Sequence, residues 1–314
     1  MTGHFTIALP VLARGTADRS EELRRPERLA GSWAGAEVLV MDGTGRVAVD
    51  GSAERPRLVW AAPATDTPPP GAVLLGSVGD VDHWAVPGTV EDGGTIRSLG
   101  PVLDDTEAGL LTTAVAVLNW HARSGFCPVC GRPTTPDPAG WSRVCPVGHQ
   151  EWPRTDPAVI VLIHDGADRM LLARQPSWPA GRYSVLAGFT EAGESLEATV
   201  RREMFEEVGL VVDDISYLGS QPWPMPRSLM IGFAARADPA APLRLQDGEI
   251  EAALWLHRDE IRRLLTAGGW TGDDPAADPA DPESSAGPTG DVTALPGEVS
   301  IAHRMIQGWA DAAP

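Results

Sequence analysis

Cysteine and basic residues are both scarce in this chain, and each shortage excludes a class of protein. Three cysteines among 314 residues cannot form a disulfide framework, which indicates a protein of a reducing compartment. Lysine and arginine number 25 against 43 aspartates and glutamates, a formal net charge of −18. Most of the surface would therefore repel a nucleic-acid backbone, and we do not expect extended nucleic-acid binding.

Long hydrophobic runs are also missing. No segment approaches the roughly 18 consecutive apolar residues of a membrane span. The apolar stretch FTIALPVLA near the N-terminus has no Lys- or Arg-rich segment before it, unlike a secretory signal. We therefore expect a cytoplasmic protein without membrane association, and its length is sufficient for about two domains.

Composition divides the chain into four segments. Residues 1–104 alternate short apolar runs with Gly, Pro and Asp clusters, which predicts a mostly β N-terminal domain. Residues 105–123 have helical periodicity and are predicted to form a connecting helix. The cysteines lie in residues 124–152, and residues 153–314 open with the strand, Asp-Gly turn and strand of an α/β domain. Within that domain, residues 271–293 are acidic and rich in Pro, Gly and Ala, so they are predicted to be a disordered insertion.

The most informative stretch is GFTEAGESLEATVRREMFEEVGL. Ser195 is suited to begin a helix and Gly209 to end it. On this helix, Glu203, Glu206 and Glu207 fall within roughly a 100° arc, so their carboxylates can converge on one point. Two such charges 4 Å apart repel by about 4 kcal/mol at an effective dielectric constant near 20. Either the face is solvated beside local arginines, or the carboxylates bind a divalent cation such as Mg²⁺ or Mn²⁺.

The spacing of this stretch resembles the signature of the Nudix hydrolases. Gly188 is followed by five residues and Glu194, and seven more residues lead to Arg202 and REMFEEVGL. The resemblance implies an α/β/α sandwich that hydrolyses a nucleoside diphosphate linked to another group. It also implies that the three glutamates of the helix are catalytic metal ligands, and that Arg202 and Glu194 orient the helix. The alternative is a ligand sensor that retains the Nudix fold.

A second motif, SQPWPMPRS, follows the first. Its three prolines stiffen a loop that can hold a tryptophan ring in place, although the ring could equally pack into a core. The motif resembles the SQPWPFPxS array of the NADH pyrophosphatase family, with Met225 where that family usually has Phe. The resemblance implies that Gln221 and Trp223 contribute to substrate binding. It implies hydrolysis of NADH or NAD⁺ to nicotinamide mononucleotide and AMP, or removal of NAD caps from RNA 5′ ends by the same chemistry.

Shorter motifs extend this resemblance over about residues 97 to 314, including LDDTEAGLL, PRTDPAVI, VLAGF, GEIEAALW and IAHRMI. They imply that Glu249 completes the catalytic metal site, and that the dinucleotide site is lined by Trp152, Ile160, Phe189 and Ala302. Ile160 and Phe189 lie in apolar, strand-like runs, so both could instead be core residues.

The cysteine spacing is typical of a zinc ribbon. Cys127 and Cys130 are separated by two residues, and Cys145 follows after fourteen more, with thiolates as the ligands that zinc prefers. The resembling family generally has a second CxxC, but position 148 is Gly148, so His149 is predicted as the fourth ligand. The alternative is a ribbon that has lost its zinc.

The resemblance as a whole implies a Nudix α/β/α sandwich preceded by a zinc ribbon and a mostly β N-terminal domain. It implies Mg²⁺ or Mn²⁺ as the catalytic cofactor and Zn²⁺ as a structural one. NADH, NAD⁺ and NAD-capped RNA are the expected substrates, and the protein is expected to be a homodimer.

Overall fold

The computed structural model describes residues 5–246, 248–270 and 292–312 and divides into two compact units. The ribbon unit contains Leu12–Thr155 and Pro222–Arg227. The sandwich unit contains the described residues of Met1–Val11, Asp156–Gln221 and Ser228–Pro314. Among the described residues, no helix combines the length and apolar character needed to cross a bilayer.

The ribbon unit is mostly β. Its central sheet has the order β1-β5-β4, with β1 parallel and β4 antiparallel to β5. The rings of Trp33 and Trp84 pack edge to face in its core, with centroids 5.4 Å apart. Its strands are β1 Glu37–Met41, β2 Val49–Ser52, β3 Arg55–Leu58, β4 Val73–Val78, β5 Val81–Pro87, β6 Thr135–Pro136, β7 Arg143–Val144 and β8 Gln150–Glu151. Its helices are α1 Pro26–Leu29, α2 Ile96–Leu99 and α3 Asp105–Arg123, with 3-10 turns at Val11–Ala13 and Glu21–Arg24.

Helix α3 occupies the residues for which the sequence predicted a connecting helix. The side chain of Asp104 accepts a hydrogen bond from the backbone N–H of Glu107 at 2.8 Å, which caps the helix N-terminus. Leu111 and Ala114 in the middle of the helix are fully buried. The short sheet β6-β7-β8 carries the cysteine segment after α3.

The sandwich unit is built on a mixed sheet of order β12-β13-β9-β10-β14, to which β11 adds by pairing with β9. Its strands are β9 Asp156–His164, β10 Arg169–Arg174, β11 Leu186–Phe189, β12 Asp213–Trp223, β13 Ser228–Arg236, β14 Ala252–His257, β15 Gly269–Trp270 and β16 Leu295–Pro296. Its helices are α4 Leu196–Val208, α5 Arg258–Thr266 and α6 Ile301–Asp311.

Side chains alternate along the central strand β9 between two apolar cores. Val159 and Val161 pack in the core that includes α4, whereas Ile160 and Leu162 pack in the core that includes α6. Because successive strand residues point to opposite faces, this alternation places a helix layer on each side of the sheet. The sheet is therefore the middle layer of the predicted α/β/α sandwich.

The units do not follow the predicted segment boundaries at two places. Phe5, predicted within the N-terminal domain of residues 1–104, is buried in the same apolar cluster as Met305 of α6. A Cβ atom added at Gly308 of α6 would lie 2.7 Å from the carbonyl oxygen of Thr6. This close packing assigns the first residues to the sandwich unit, whereas Pro222–Arg227 belongs to the ribbon unit.

The predicted disordered insertion at residues 271–293 lies outside the described residues except for its last two. Val292 and Thr293 are described, and the backbone N–H of Thr293 donates to the carbonyl of Gly181 at 2.9 Å. These two residues therefore belong to the folded sandwich unit.

Candidate functional site

Helix α4 forms the core of the candidate site. The Ser195 hydroxyl accepts a hydrogen bond from the Ala198 N–H at 3.2 Å, and Gly209 ends the helix in the left-handed region at φ 75°. Val200 and Met204 on its inner face have no exposed surface. Because the inner face is anchored in the core, the glutamates of the neighbouring face are held in a fixed orientation.

Arg202 connects three carboxylates, one from the loop before this helix and two from the helix itself. Its Nε and Nη2 atoms donate to the two carboxylate oxygens of Glu194 at 2.7 and 2.9 Å, and Nη2 also donates to the Phe189 carbonyl at 2.9 Å. Its Nη1 donates to Glu203 at 2.9 Å and to Glu206 at 3.0 Å. Hydrogen bonding from Arg202 is the main reason that the pKa of Glu194 falls to about 2. Arg202 thus fixes both the loop before α4 and two of its carboxylates.

Glu207 is the carboxylate whose environment is least favourable for a charge. Only 6% of the residue is exposed, and its Oε2 atom has no hydrogen-bond partner among the described residues. Burial, followed by the charges of Glu203, Glu249 and Glu206, raises the pKa of Glu207 to about 8. Burial also raises the pKa of Glu203. Glu206 and Glu249 are therefore close enough for their charges to act on Glu203 and Glu207.

Gly188 in β11 makes room for one of these carboxylates. A Cβ atom built there would lie 1.9 Å from Cδ of Glu203 and 2.2 and 2.3 Å from its two oxygens. No side chain can occupy that space without displacing Glu203. The glycine that begins the Nudix-like signature is thus explained by contact with the glutamate fifteen residues later.

The donor set of α4 fits a hard divalent cation. Carboxylate oxygens are the protein ligands that Mg²⁺ and Mn²⁺ prefer, and Glu207 has an unpartnered buried oxygen. The guanidinium of Arg202 is the positive charge that contacts both Glu203 and Glu206. A bound cation would offset the repulsion between Glu207 and the neighbouring carboxylates.

The ribbon unit brings its four predicted zinc ligands together. The Sγ of Cys127 lies 3.5 Å from Nδ1 of His149, and the Sγ atoms of Cys130 and Cys145 are 3.8 Å apart. One ligand atom from each of the four residues lies within 4.8 Å of all the others. Three thiolates and one imidazole at this spacing fit tetrahedral Zn²⁺.

Two similar turns hold the cysteines. The N–H of Gly131 donates to the Cys127 carbonyl at 2.8 Å, and the N–H of Gly148 donates to the Cys145 carbonyl at 2.9 Å. Both glycines have positive φ, 70° and 89°. The turn closed by Gly148 is therefore one residue shorter than the turn closed by Gly131, and the residue that follows it, His149, supplies the ligand.

The remaining predicted residues of the sandwich unit differ in exposure. Phe189 is 57% exposed at the end of β11, where its own carbonyl accepts from Arg202. Ile160 and Ala302 are 5% and 1% exposed and lie within the apolar core. Gln221 is fully buried, and its Nε2 donates to the Val299 carbonyl at 2.9 Å. Of these four side chains, Phe189 presents substantial surface to a ligand.

Two predicted aromatic residues lie in the ribbon unit. Trp152 is 62% exposed, and Trp223 is half-buried. The guanidinium of Arg97 stacks on the Trp223 ring, with its Cζ 5.1 Å from the ring centroid. Sequence reasoning missed Arg97, because a single arginine in a short helix carries no pattern that links it to a tryptophan 126 positions later.

Comparison with known proteins gives matches along almost the whole chain. The NUDIX domain family model matches residues 154–276, and the NADH pyrophosphatase zinc ribbon domain model matches residues 122–147. "NAD-capped RNA hydrolase NudC" of Mycobacterium bovis (strain BCG / Pasteur 1173P2) is 47% identical over 315 residues, which cover 96% of this chain and 95% of the relative. The protein of the same name from Mycobacterium tuberculosis (strain ATCC 25177 / H37Ra) is 46% identical with the same coverage. "NAD(P)H pyrophosphatase NUDT13, mitochondrial" of Mus musculus is 42% identical over 212 residues, 67% of this chain and 56% of the relative.

Proposed function

This chain belongs to the NADH pyrophosphatase family of the Nudix hydrolases, and from that premise we propose that its sandwich unit hydrolyses the pyrophosphate of NADH and NAD⁺. The products are nicotinamide mononucleotide and AMP. The observation that carries the proposal is the buried carboxyl of Glu207, whose Oε2 atom has no hydrogen-bond partner among the described residues and whose pKa is raised by burial and by Glu203, Glu249 and Glu206. Such an arrangement is unfavourable unless a cation offsets it.

In this proposal Glu203, Glu206, Glu207 and Glu249 hold the divalent cations, Mg²⁺ or Mn²⁺. Bound ions of this kind neutralise a pyrophosphate and lower the pKa of a coordinated water. The NUDIX family match and the donor set support this assignment. Both metals accept carboxylate oxygens.

Arg202 positions the carboxylates in the proposed mechanism. Its guanidinium contacts Glu194, Glu203 and Glu206 at 2.7 to 3.0 Å, so it holds the two metal-binding carboxylates at fixed directions. Glu194 stays ionised well below neutral pH because its pKa is about 2. The Arg202–Glu194 pair therefore keeps the loop before α4 in place while charge at the metal site changes.

The proposed substrate contacts use aromatic surface and packing. In the sandwich unit, Phe189 is exposed enough to stack on an adenine or nicotinamide ring. In the ribbon unit, Trp223 is held by Arg97. Ile160, Ala302 and Gln221 are buried, so we assign them to shaping the backbone around the ligand. Substitution of the buried residues should lower stability as well as substrate affinity.

The decisive experiment is incubation of the purified protein with NADH and Mg²⁺ or Mn²⁺, with chromatographic separation of products. AMP and reduced nicotinamide mononucleotide are expected. Glu206→Gln should retain the fold and lose most turnover, whereas Glu197→Gln, on the exposed first turn of the same helix, should keep it. An active Glu206→Gln protein would refute the site assignment, and hydrolysis of ADP-ribose alone would move the activity elsewhere in the superfamily.

NAD-capped RNA is the second candidate substrate. The support is the 47% identity to a protein named as an NAD-capped RNA hydrolase. The same bond would be cleaved, so the two substrates differ only in whether an RNA chain is attached to the adenosine. Rates on free NADH and on a short NAD-capped RNA, measured at equal concentrations, would rank them.

Three further features complete the proposal. The ribbon unit binds one structural Zn²⁺ through Cys127, Cys130, Cys145 and His149, supported by their mutual distances. The protein acts in the cytoplasm and forms a homodimer, as expected for its family. Sedimentation equilibrium would test the dimer: a single species at the monomer mass of 33.2 kDa would contradict it.

A further inference from the structure

One short segment of the ribbon unit is rich in arginine. Between residues 14 and 28, four acidic residues are interspersed with five arginines. Three of them pair with carboxylates: Arg14 with Asp105, Arg25 with Glu22 and Arg28 with Asp82. Among the described residues, neither Arg19 nor Arg24 has a carboxylate within ion-pair distance. These two arginines are therefore the members of the cluster whose charge is least offset.

Arg19 and Arg24 are held against one tryptophan. Their Cζ atoms lie 5.1 and 4.1 Å from the centroid of the Trp141 ring. The indole N–H of Trp141 donates to the Leu74 carbonyl at 2.7 Å, which fixes the plane of the ring. Partial burial, and next the charge of Arg24, lower the pKa of Arg19. Two like charges are thus packed side by side on a rigid aromatic surface.

The acidic group whose charge acts most strongly on Arg24 is largely engaged by its own loop. Asp137 accepts hydrogen bonds from the Ala139 and Gly140 N–H groups at 2.8 Å and from the Ser142 hydroxyl at 2.6 Å. Asp137 and the exposed Glu21 favour the charged form of Arg24, yet the pKa of Arg24 is still lowered, mainly by burial. The positive charge at Arg24 is therefore only partly neutralised.

Both arginines face a large cavity within the ribbon unit. Its volume is about 1160 Å³, and its walls include Trp33, Trp141 and the exposed Trp152. The volume exceeds the roughly 300–1,000 Å³ of ordinary small-molecule pockets. The cavity can therefore hold a ligand larger than one nucleotide.

This combination of groups matches one ligand chemistry. A guanidinium binds phosphate oxygens through paired N–H donors, and an exposed indole stacks on a nucleobase whatever its identity. An aromatic cavity with two guanidinium groups is thus suited to phosphates alternating with bases. The net charge of −18 repels long nucleic acids, whereas a short segment at this cavity would meet the guanidinium groups of Arg19 and Arg24, with the carboxylates of Glu21, Asp66 and Asp137 also in its walls.

We propose that the cavity lined by Arg19, Arg24, Trp141 and Trp152 is a second nucleotide-binding site, which holds nucleotides of a single-stranded RNA. The two arginines bind phosphates and Trp152 stacks on a base. The inference rests on the proposed function in one respect: NAD-capped RNA is the second candidate substrate of the protein. Binding of uncapped RNA requires no catalysis, so it can be tested independently of hydrolysis.

The test is fluorescence anisotropy of a labelled, uncapped RNA of about eight nucleotides, titrated with the full-length protein at several salt concentrations. This length lies within the usual site sizes for single strands. The Arg19→Gln/Arg24→Gln double variant should bind at least about 10-fold more weakly at low salt, because two charge-assisted contacts are lost. The slope of log affinity against log salt should fall by about 1.4, since each phosphate contact to a single strand contributes about 0.7. Arg55→Gln is the matched control, because Arg55 is exposed on β3 and does not line the cavity.

Three further measurements separate the outcomes. The single variant Arg19→Gln removes an exposed side chain and should reproduce part of the loss in a protein with an unchanged melting temperature. NADH hydrolysis should be the same in every variant as in the wild type. If the wild type itself does not hydrolyse NADH, the proposed function is refuted, whereas the RNA-binding result is unaffected. Competition by AMP as strong as by RNA would identify free nucleotides as the occupant and overturn the RNA assignment. Equal RNA affinity and salt slope for wild type and both variants would overturn the site itself.

Discussion

The buried carboxyl of Glu207 leads to a stability prediction for the protein without added divalent cations. Its pKa is about 8 in the folded protein, against an ordinary value of 4.5. A rise of this size corresponds to about 5 kcal/mol, because each tenfold change in proton affinity is about 1.4 kcal/mol. The environment that causes it is the burial of Glu207 beside Glu203 and Glu249, with one oxygen unpartnered.

The sign of the effect depends on which state binds the proton more tightly. Well below pH 4.5, folded and unfolded chains both hold it, so ionisation costs nothing. Between pH 4.5 and about 8, the unfolded chain has lost the proton while the folded chain retains it, so the free energy of unfolding falls as pH rises. Above about pH 8 both states are ionised, and the full destabilisation of about 5 kcal/mol is present.

The substitution Glu207→Gln tests this reasoning, because glutamine resembles the protonated carboxyl in shape and carries no charge. Its free energy of unfolding should equal that of the wild type below about pH 4 and exceed it increasingly toward about pH 9, by up to about 5 kcal/mol. The assay is urea unfolding followed by tryptophan fluorescence, without added Mg²⁺ or Mn²⁺, at several pH values. Glu197→Gln, on the exposed first turn of α4, should show no such divergence. Parallel curves for Glu207→Gln and wild type would refute the buried-proton account.

Three other predictions concern the two metal sites. Gly188→Ala places a methyl group 1.9 Å from Cδ of Glu203, so kcat on NADH should fall by about 100-fold or more. The control Gly31→Ala, where an added Cβ meets nothing within 4 Å, should leave kcat unchanged. Equal kcat values for Gly188→Ala and the wild type would refute the steric role of Gly188. Binding of Mg²⁺ or Mn²⁺ at about pH 7 should release nearly one proton, because Glu207 must ionise to bind the metal. Calorimetry in two buffers of different ionisation enthalpy measures this proton release, and identical heats of binding in the two buffers would refute it. His149→Ala should reduce zinc below one ion per chain and lower the melting temperature, because His149 lies among the three cysteines; full zinc occupancy would exclude His149 as the fourth ligand.

Local chemistry in the sequence was sufficient for the parts of the site that lie close together along the chain. The helix that carries Glu203, Glu206 and Glu207 was predicted because Ser195 and Gly209 define its ends and the apolar residues repeat every four positions. The zinc ligands were predicted because the two halves of a ribbon are short turns, even where Gly148 replaces a cysteine. In both cases the structure brings the predicted residues together.

Residues whose roles depend on distant contacts were harder to predict. Ile160 and Ala302 belong to one apolar core, a placement that the local sequence does not encode because the face of a strand that is buried depends on the whole sheet. Their place beside the dinucleotide stays a prediction. The place of Phe5 beside Met305 is a contact between the two ends of the chain, and no local pattern encodes it. Arg97 over Trp223 is missed for the same reason.

The packing of Phe5 against α6 makes the sandwich unit discontinuous along the chain, which bears on the order of folding during synthesis. Most of the ribbon unit is a continuous stretch, Leu12–Thr155, and its contacts can begin to form while later residues are still being made. In the sandwich unit, in contrast, the apolar core that contains Phe5 cannot be completed until Ile301–Asp311 has left the ribosome. The residues around Phe5 must therefore wait, with their apolar surface exposed, for nearly the entire chain to be translated.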